Sequence, residues 1–197
     1  MDQVFAPWRI EWVERDDKNP DVDCVFCAFR DDDADRAHNV VARSDHAFVL
    51  LNNYPYNPGH AMVIPHEHTG AYGDLDGETL LDHAHLKQRT FAALESALDP
   101  NGFNAGLNLG GPAAGGSIGD HLHTHVVPRW QGDTNFMPVV ADTKVIVEAV
   151  EDTYDRLHEA FAGQDGATAP VPTRRSASSH PQRVFEHPSL PPVDVAP

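Results

Sequence analysis

Between residues 40 and 65 the apolar side chains come in short, dense runs: Val40-Val41-Ala42-Arg43, Ala47-Phe48-Val49-Leu50-Leu51 and Ala61-Met62-Val63-Ile64-Pro65. Their length and their β-branched and aromatic content predict three strands. The stretch between the last two holds Pro55, Pro58 and Gly59, which makes it a connection built for turning rather than pairing. After Asp76-Gly77-Glu78 the period changes. Leu80, Ala84, Lys87, Phe91, Leu94 and Leu98 recur at spacings of four and three, predicting a long helix that buries this stripe, with the Lys87 stem snorkelling from it. Pro100-Asn101-Gly102 ends that helix. A strand over 103–109, a glycine-rich loop over 106–119 and a strand over 121–129 follow. A second helix is predicted over 143–162, with Val147, Val150, Tyr154, Leu157 and Phe161 on one face. Strands, helix, two strands and helix, in that order, predict an α+β fold with a mainly antiparallel sheet.

The flanks read differently. Phe5, Trp8, Ile10, Trp12 and Val13 make the first 20 residues too apolar for a free tail, so they are expected to pack on the domain or on a second subunit. Residues 30–38 read as a charged loop without a core signal. Seven of the 16 prolines fall in the last 35 residues, a composition that cannot offset its ordering entropy. One domain over 1–162 and a disordered tail over 163–197 are therefore expected, and 197 residues suit a single core.

Charge narrows the function. Thirty acidic residues face 14 basic ones, and a formal charge of −16 repels polyanions, which argues against nucleic acid as a partner. No apolar stretch approaches membrane-spanning length and no basic-then-apolar leader opens the chain, so a soluble cytoplasmic protein without a membrane partner is expected. The acids are mostly Asp, and Lys18, Lys87 and Lys144 are the only lysines. An Asp-rich, Lys-poor surface resembles that of halophilic, haloarchaeal proteins, where concentrated counter-ions screen self-repulsion.

The densest chemistry lies at His121-Leu122-His123-Thr124-His125. Period two on an extended strand places three imidazoles on one face and Leu122, Thr124 and Val126 on the other. The glycine-rich stretch just before them lets backbone N–H groups approach an anion closely. Together they indicate phosphate chemistry. Cys24 and Cys27, the only cysteines, form a Cys-x-x-Cys pair, which in a cytosolic chain reads as half a zinc site or a redox pair rather than a structural disulfide.

The run 121–127 resembles the His-φ-His-φ-His-φ-φ pattern (φ apolar) of the histidine-triad (HIT) family of nucleotide hydrolases and transferases, with Thr124 departing from it. The likeness extends to Ala6-Pro7-Trp8-Arg9, Cys24-Val25-Phe26-Cys27, the stretch 51–65 and the stretch 102–110, and so spans about residues 5 to 162. The run from Pro128 to Phe136 is most similar to the branch containing diadenosine tetraphosphate phosphorylases.

The resemblance implies that His123 attacks the α-phosphorus of a nucleoside polyphosphate, forming a nucleotidyl-histidine. A carbonyl at His121 would orient it, and His125 would stabilise charge on the phosphate oxygens. Ser117 stands near the family's leaving-group contact, Gly116 occupies the place of a frequent Gln, and Gly119-Asp120 lengthens the approach to the triad by one residue. Asn108 and Arg129 are implied phosphate contacts, Asn52 a ribose contact, and Phe48 and Trp130 base-pocket residues, although Trp130 also reads as packing. His60 reads as structural support. Zinc ligands carried over from some members are Cys24, Cys27, His68 and His121, with His66 as rival for the third place. A homodimer is implied, and a divalent metal accompanying the nucleotide is a further candidate.

The expected activity is phosphorolysis of diadenosine tetraphosphate to ADP and ATP. The alternatives are a HIT-type nucleotide hydrolase, a phosphoramidase, a non-catalytic nucleotide-binding regulator, and a zinc-binding interaction module.

Overall fold

The computed structural model describes residues 23–114, 118–133 and 148–165. Helix α1 (Val25–Asp31) and a short helix α2 (Asp35–His38) precede strands β1 (Val40–Arg43), β2 (Ala47–Leu51) and β3 (Ala61–Pro65). A 3-10 turn (Tyr72–Asp74), the long helix α3 (Gly77–Leu98), β4 (Gly102–Gly106), a second 3-10 turn (Gly111–Ala114), β5 (Thr124–Arg129) and α4 (Val150–Asp165) follow. The strands form one five-stranded antiparallel sheet in the order β1-β2-β3-β5-β4, which is the α+β architecture expected. No described helix is long and apolar enough to cross a membrane.

The apolar runs of β2 and β3 are continuous because both faces of the sheet are covered. Ala47, Val49 and Leu51 with Ala61 and Val63 join Leu86, Leu94 and Leu98 of α3 and Leu157 and Phe161 of α4 in one core. Phe48, Leu50, Met62 and Ile64 point the other way and join Cys24 and Phe26 in a second, smaller core roofed by α1.

Several expectations need correction. The charged stretch 30–38 is not a loop: it ends α1 and forms α2. Arg43 gathers it, donating to the carbonyls of Phe29, Arg30 and Asp32 and to the Asp35 carboxylate, so that carbonyls left over at the end of α1 find a partner. In α3, capped by Asp76 Oδ1 accepting from Thr79 N at 2.7 Å, the buried face is rotated from the predicted stripe. It carries Thr79, His83, Leu86, Thr90, Ala93, Leu94 and Leu98, whereas Ala84 is exposed. Three of those seven are polar and satisfied internally, as when Thr90 Oγ1 donates to Leu86 O at 2.8 Å, so hydrophobicity alone misplaces the face.

Strand β4 stops at Gly106 rather than 109, and β5 begins at Thr124 rather than 121. Helix α4 starts at Val150 and runs to Asp165, burying Tyr154, Leu157 and Phe161 as the spacing predicts. Residues 143–147 of that expected helix, the aromatic N-terminal segment and the tail from 166 onward lie outside the described residues.

Candidate active site

The site lies on the α1 side of the sheet, where β5 and the segment leading into it meet α1, the turn 66–71 and the turn 52–60. His121 and His123 are buried and His125 is half-buried. Their rings belong to a row: Tyr56 and His60 at 4.8 Å between centroids, His60 and His125 at 5.1 Å, His125 and His123 at 4.9 Å. Phe26 of α1 continues it, 5.3 Å from His123 and 5.5 Å from His121.

Hydrogen bonds fix the tautomers. His123 Nδ1–H donates to His121 O at 2.9 Å, so the neutral ring carries its lone pair on Nε2. Burial lowers the His123 pKa, opposed in part by this bond, which keeps the ring neutral near pH 7. At the other end the Tyr56 N–H donates to His60 Nδ1 at 3.1 Å. His60 must then hold its proton on Nε2, which donates to His125 Nδ1 at 3.0 Å. A neutral His125 consequently carries its own proton on Nε2. The two neighbouring rings are thus set in opposite senses, His123 with a bare Nε2 and His125 with a protonated one.

His121 faces a second constellation. Its Nε2–H donates to Pro65 O at 2.8 Å, which turns Nδ1 towards Cys24 Sγ at 3.2 Å and Cys27 Sγ at 3.7 Å. His68 Nδ1 lies 3.2 Å from Cys27 Sγ, and the ligand atoms of Cys24, Cys27, His68 and His121 all lie within 4.8 Å of one another. Two thiolates and two imidazoles are the donor set of a tetrahedral structural zinc, whose ligand atoms lie roughly 3.3–3.8 Å apart; three of the separations here, 3.2, 3.2 and 3.7 Å, are close to that range, and the widest, up to 4.8 Å, would have to draw in around the ion. Both cysteines are free thiols. The rival His66 is not in the cluster: its ring stacks on Phe48 at 6.0 Å and its carbonyl accepts from Arg30 Nη1 at 2.9 Å.

The turn after His68 docks against the approach to the triad. Leu122 N donates to Thr69 O at 2.8 Å, and a Cβ on Gly70 would meet Gly119 O at 2.5 Å, so this crossing admits only glycine.

The remaining expected site residues are dispersed. Asn52, half-buried at the end of β2, donates from Nδ2 to Met62 Sδ at 3.7 Å, and Met62 is the register partner of His125. Gly106 also pairs with His125, and Asn108 lies exposed two residues beyond it. Phe48 is fully buried in the smaller core, and Trp130 packs against the larger core on the helix side. Arg129 is committed to a turn: Nε and Nη2 grip Asp133 at 2.5 and 2.8 Å, and Nη1 donates to Asn104 at 2.7 Å. Gly116 and Ser117 lie outside the described residues. Sequence reasoning missed Phe26, Gly70 and the bond that ties His60 to His125. The placement of Phe26 inside Cys-x-x-Cys was the available signal for the first.

Comparison with known proteins agrees with this geometry. A family model described as HIT domain matches residues 34–132. AP-4-A phosphorylase of Mycobacterium tuberculosis is 42% identical over 125 residues, covering 64% of this chain and 64% of that protein, so less than two thirds of its length is matched. A Zn-bound histidine triad family protein from Mycobacterium smegmatis superposes with a TM-score of 0.59 at 31% identity, over 73% of this chain and 96% of that one. A hypothetical histidine triad nucleotide-binding protein from Sulfolobus tokodaii gives 0.58 at 26% identity, over 72% and 94%. With the domain match, the triad in place and a neighbour almost wholly covered, the chain belongs to the histidine-triad (HIT) family.

Proposed function

We propose that this protein is a nucleotidyl transferase that phosphorolyses diadenosine tetraphosphate. The observation that carries the chemistry is the 2.9 Å bond from His123 Nδ1 to His121 O, which commits the bare Nε2 to attack. Nε2 bonds to the α-phosphorus as the bond to the bridging oxygen breaks, releasing ATP and leaving AMP on His123. Inorganic phosphate then attacks the same phosphorus, releasing ADP and restoring the imidazole. His125, as an Nε2–H donor, stabilises charge on the non-bridging oxygens in both steps. The Asn52 amide, beside Met62 and His125, is placed for the ribose, and Asn108 for a phosphate. Ser117 and Gly116 retain their proposed contacts at the leaving group. Arg129 would reach a phosphate only by giving up part of its hold on Asp133, which already neutralises its charge. The choice of phosphate over water rests on the 42% identity to the AP-4-A phosphorylase.

Cys24, Cys27, His68 and His121 would hold one structural zinc. Bound there, the ion supplies charge neutralisation for two thiolates and a cross-link between α1, the turn after β3 and the triad. The free thiols suit a reducing, cytoplasmic compartment. We further propose a homodimer, to whose interface the aromatic N-terminal segment contributes.

The test is product analysis with diadenosine tetraphosphate and a divalent metal, with and without phosphate, alongside His123→Ala. ADP plus ATP formed only with phosphate, and abolished in the variant, is the expected result. AMP plus ATP without phosphate makes the enzyme a hydrolase, and tight nucleotide binding without turnover overturns the catalytic reading.

A further inference from the structure

Two departures from pattern meet behind the triad. Thr124 stands between His123 and His125 at a position where the family pattern is apolar, and it is buried on the helix side of the sheet. His83 is a buried histidine on the core face of α3, where the helical period calls for an apolar side chain. Its Nε2 lies 3.2 Å from Thr124 Oγ1 and 3.3 Å from Val63 O. Val63 and Thr124 are register partners in the β3–β5 pair, so one imidazole on α3 touches both strands at the rung beside the triad. With its proton on Nε2, His83 donates to the Val63 carbonyl and shares that proton with the Thr124 hydroxyl. Neither group takes part in nucleotidyl transfer as described above.

The pairing has a physical logic. Two apolar side chains would fill the same space with non-directional contact, which tolerates small displacement of one strand along the other. A shared hydrogen bond fixes distance and angle, and it does so at the residue flanked by the nucleophile and the donor. The charged groups facing His83 are Asp82 and Lys87 of its own helix, and burial keeps the ring neutral by lowering its pKa. Once buried, the pair is coupled: removing His83 strands the Thr124 hydroxyl, removing Thr124 leaves His83 bonded to Val63 O alone and no longer tied to β5, and removing both leaves an apolar contact.

We propose that His83 is a positioning residue for the triad, reaching from α3 to Thr124 and so setting His123 and His125 against β3. The inference rests on the nucleotidyl-transfer reading, because it assigns His83 a share in the geometry of that step. A misplacement well under 1 Å at a reacting group lowers turnover without altering the groups that bind substrate.

The experiment compares wild type, H83L, T124V, the double variant and H83Q by steady-state kinetics on diadenosine tetraphosphate with phosphate, and by urea unfolding. T124V is nearly isosteric, so it reports on the contact even if H83L folds poorly. In H83L and T124V kcat is expected to fall on the order of tenfold with KM within about twofold. The double variant should be no worse than either single, and H83Q, which restores an N–H donor, should recover most of kcat. Wild-type kcat in T124V, or losses that multiply in the double variant, overturns the positioning role. An inactive wild type overturns the nucleotidyl-transfer reading itself, an outcome distinct from an active wild type whose variants are unimpaired.

Discussion

Two glycines with nearly the same positive φ allow strain and packing to be measured separately. Gly59 has φ +74° and Gly132 has φ +76°, both in the left-handed region. A Cβ at Gly132 meets nothing within 4 Å, whereas at Gly59 it would lie 2.4 Å from Leu98 Cδ1, 3.0 Å from Leu94 Cδ2 and 3.2 Å from Pro128 Cγ. Left-handed backbone costs a residue with a Cβ about 1 kcal/mol, and this is all that Gly132→Ala should lose. Gly59→Ala adds overpacking of about 1–3 kcal/mol, because the Leu98 methyl must retreat against Leu94 and Pro128, which crowd the same spot. At roughly 3 °C per kcal/mol for a domain of this size, Tm falls about 3 °C for Gly132→Ala and about 6–12 °C for Gly59→Ala. Thermal unfolding followed by circular dichroism reads both. Gly59 also precedes His60, so kcat should fall in that variant as the donor to His125 is displaced. Equal melting temperatures for the two variants would refute the packing argument, since both share the positive φ that penalises a Cβ.

Other consequences can be measured directly. Elemental analysis should give about one zinc per chain in the wild type and none in Cys24→Ser, and a metal-free preparation with full activity and unchanged Tm removes the structural-zinc reading. The Arg129 guanidinium, grasping Asp133, holds that carboxyl well below the ordinary range, so its contribution to stability is present above the unfolded pKa of about 3.9 and is lost as pH falls through the depressed folded value. Asp133→Asn should therefore cost about 1–3 kcal/mol by urea unfolding at pH 7, with the gap to wild type narrowing only below about pH 4, and a gap that narrows between pH 7 and 5 contradicts this assignment. If the formal charge of −16 is adapted to salt, Tm rises with KCl well beyond the concentration that screens simple charges, whereas equal Tm in dilute buffer and molar KCl rules that out.

What could be read from the sequence followed the strength of each local signal. The strands at 40–43, 47–51 and 61–65 fall where short apolar runs placed them, because sheet residues covered on both faces leave little ambiguity. The Cys24–Cys27 pair was legible from its spacing, which few arrangements other than a metal or redox site use, whereas His68 and His121 came from the family resemblance and the fold brings all four together. The buried face of α3 was not, since Thr79, His83 and Thr90 reach the interior only by virtue of partners supplied from their own helix or from distant strands. Arg43 likewise reshapes residues 30–38 through carbonyls that carry no mark in the sequence. Period two on β2 buries Phe48 in the smaller core, and Trp130 packs against the larger core at the end of β5, as its alternative reading had it.

The late start of β5 follows from the chemistry of the site. In a regular strand backbone carbonyls lie in the plane of the sheet and bond to neighbouring strands, leaving none for a side chain two residues on. Here His121 O receives the His123 ring, and Leu122 N donates to Thr69 O rather than to a ladder partner. Extended pairing therefore begins only at Thr124, after the His123 ring has been oriented. The first histidine is held by its side chain, through Pro65 O and the two sulfurs, so that its main chain can serve the second. The third, already in the ladder, takes its orientation from His60, the residue just before β3. A perfect strand from 121 onward would keep the three imidazoles on one face, as alternation predicts, and lose the acceptor that leaves His123 Nε2 bare.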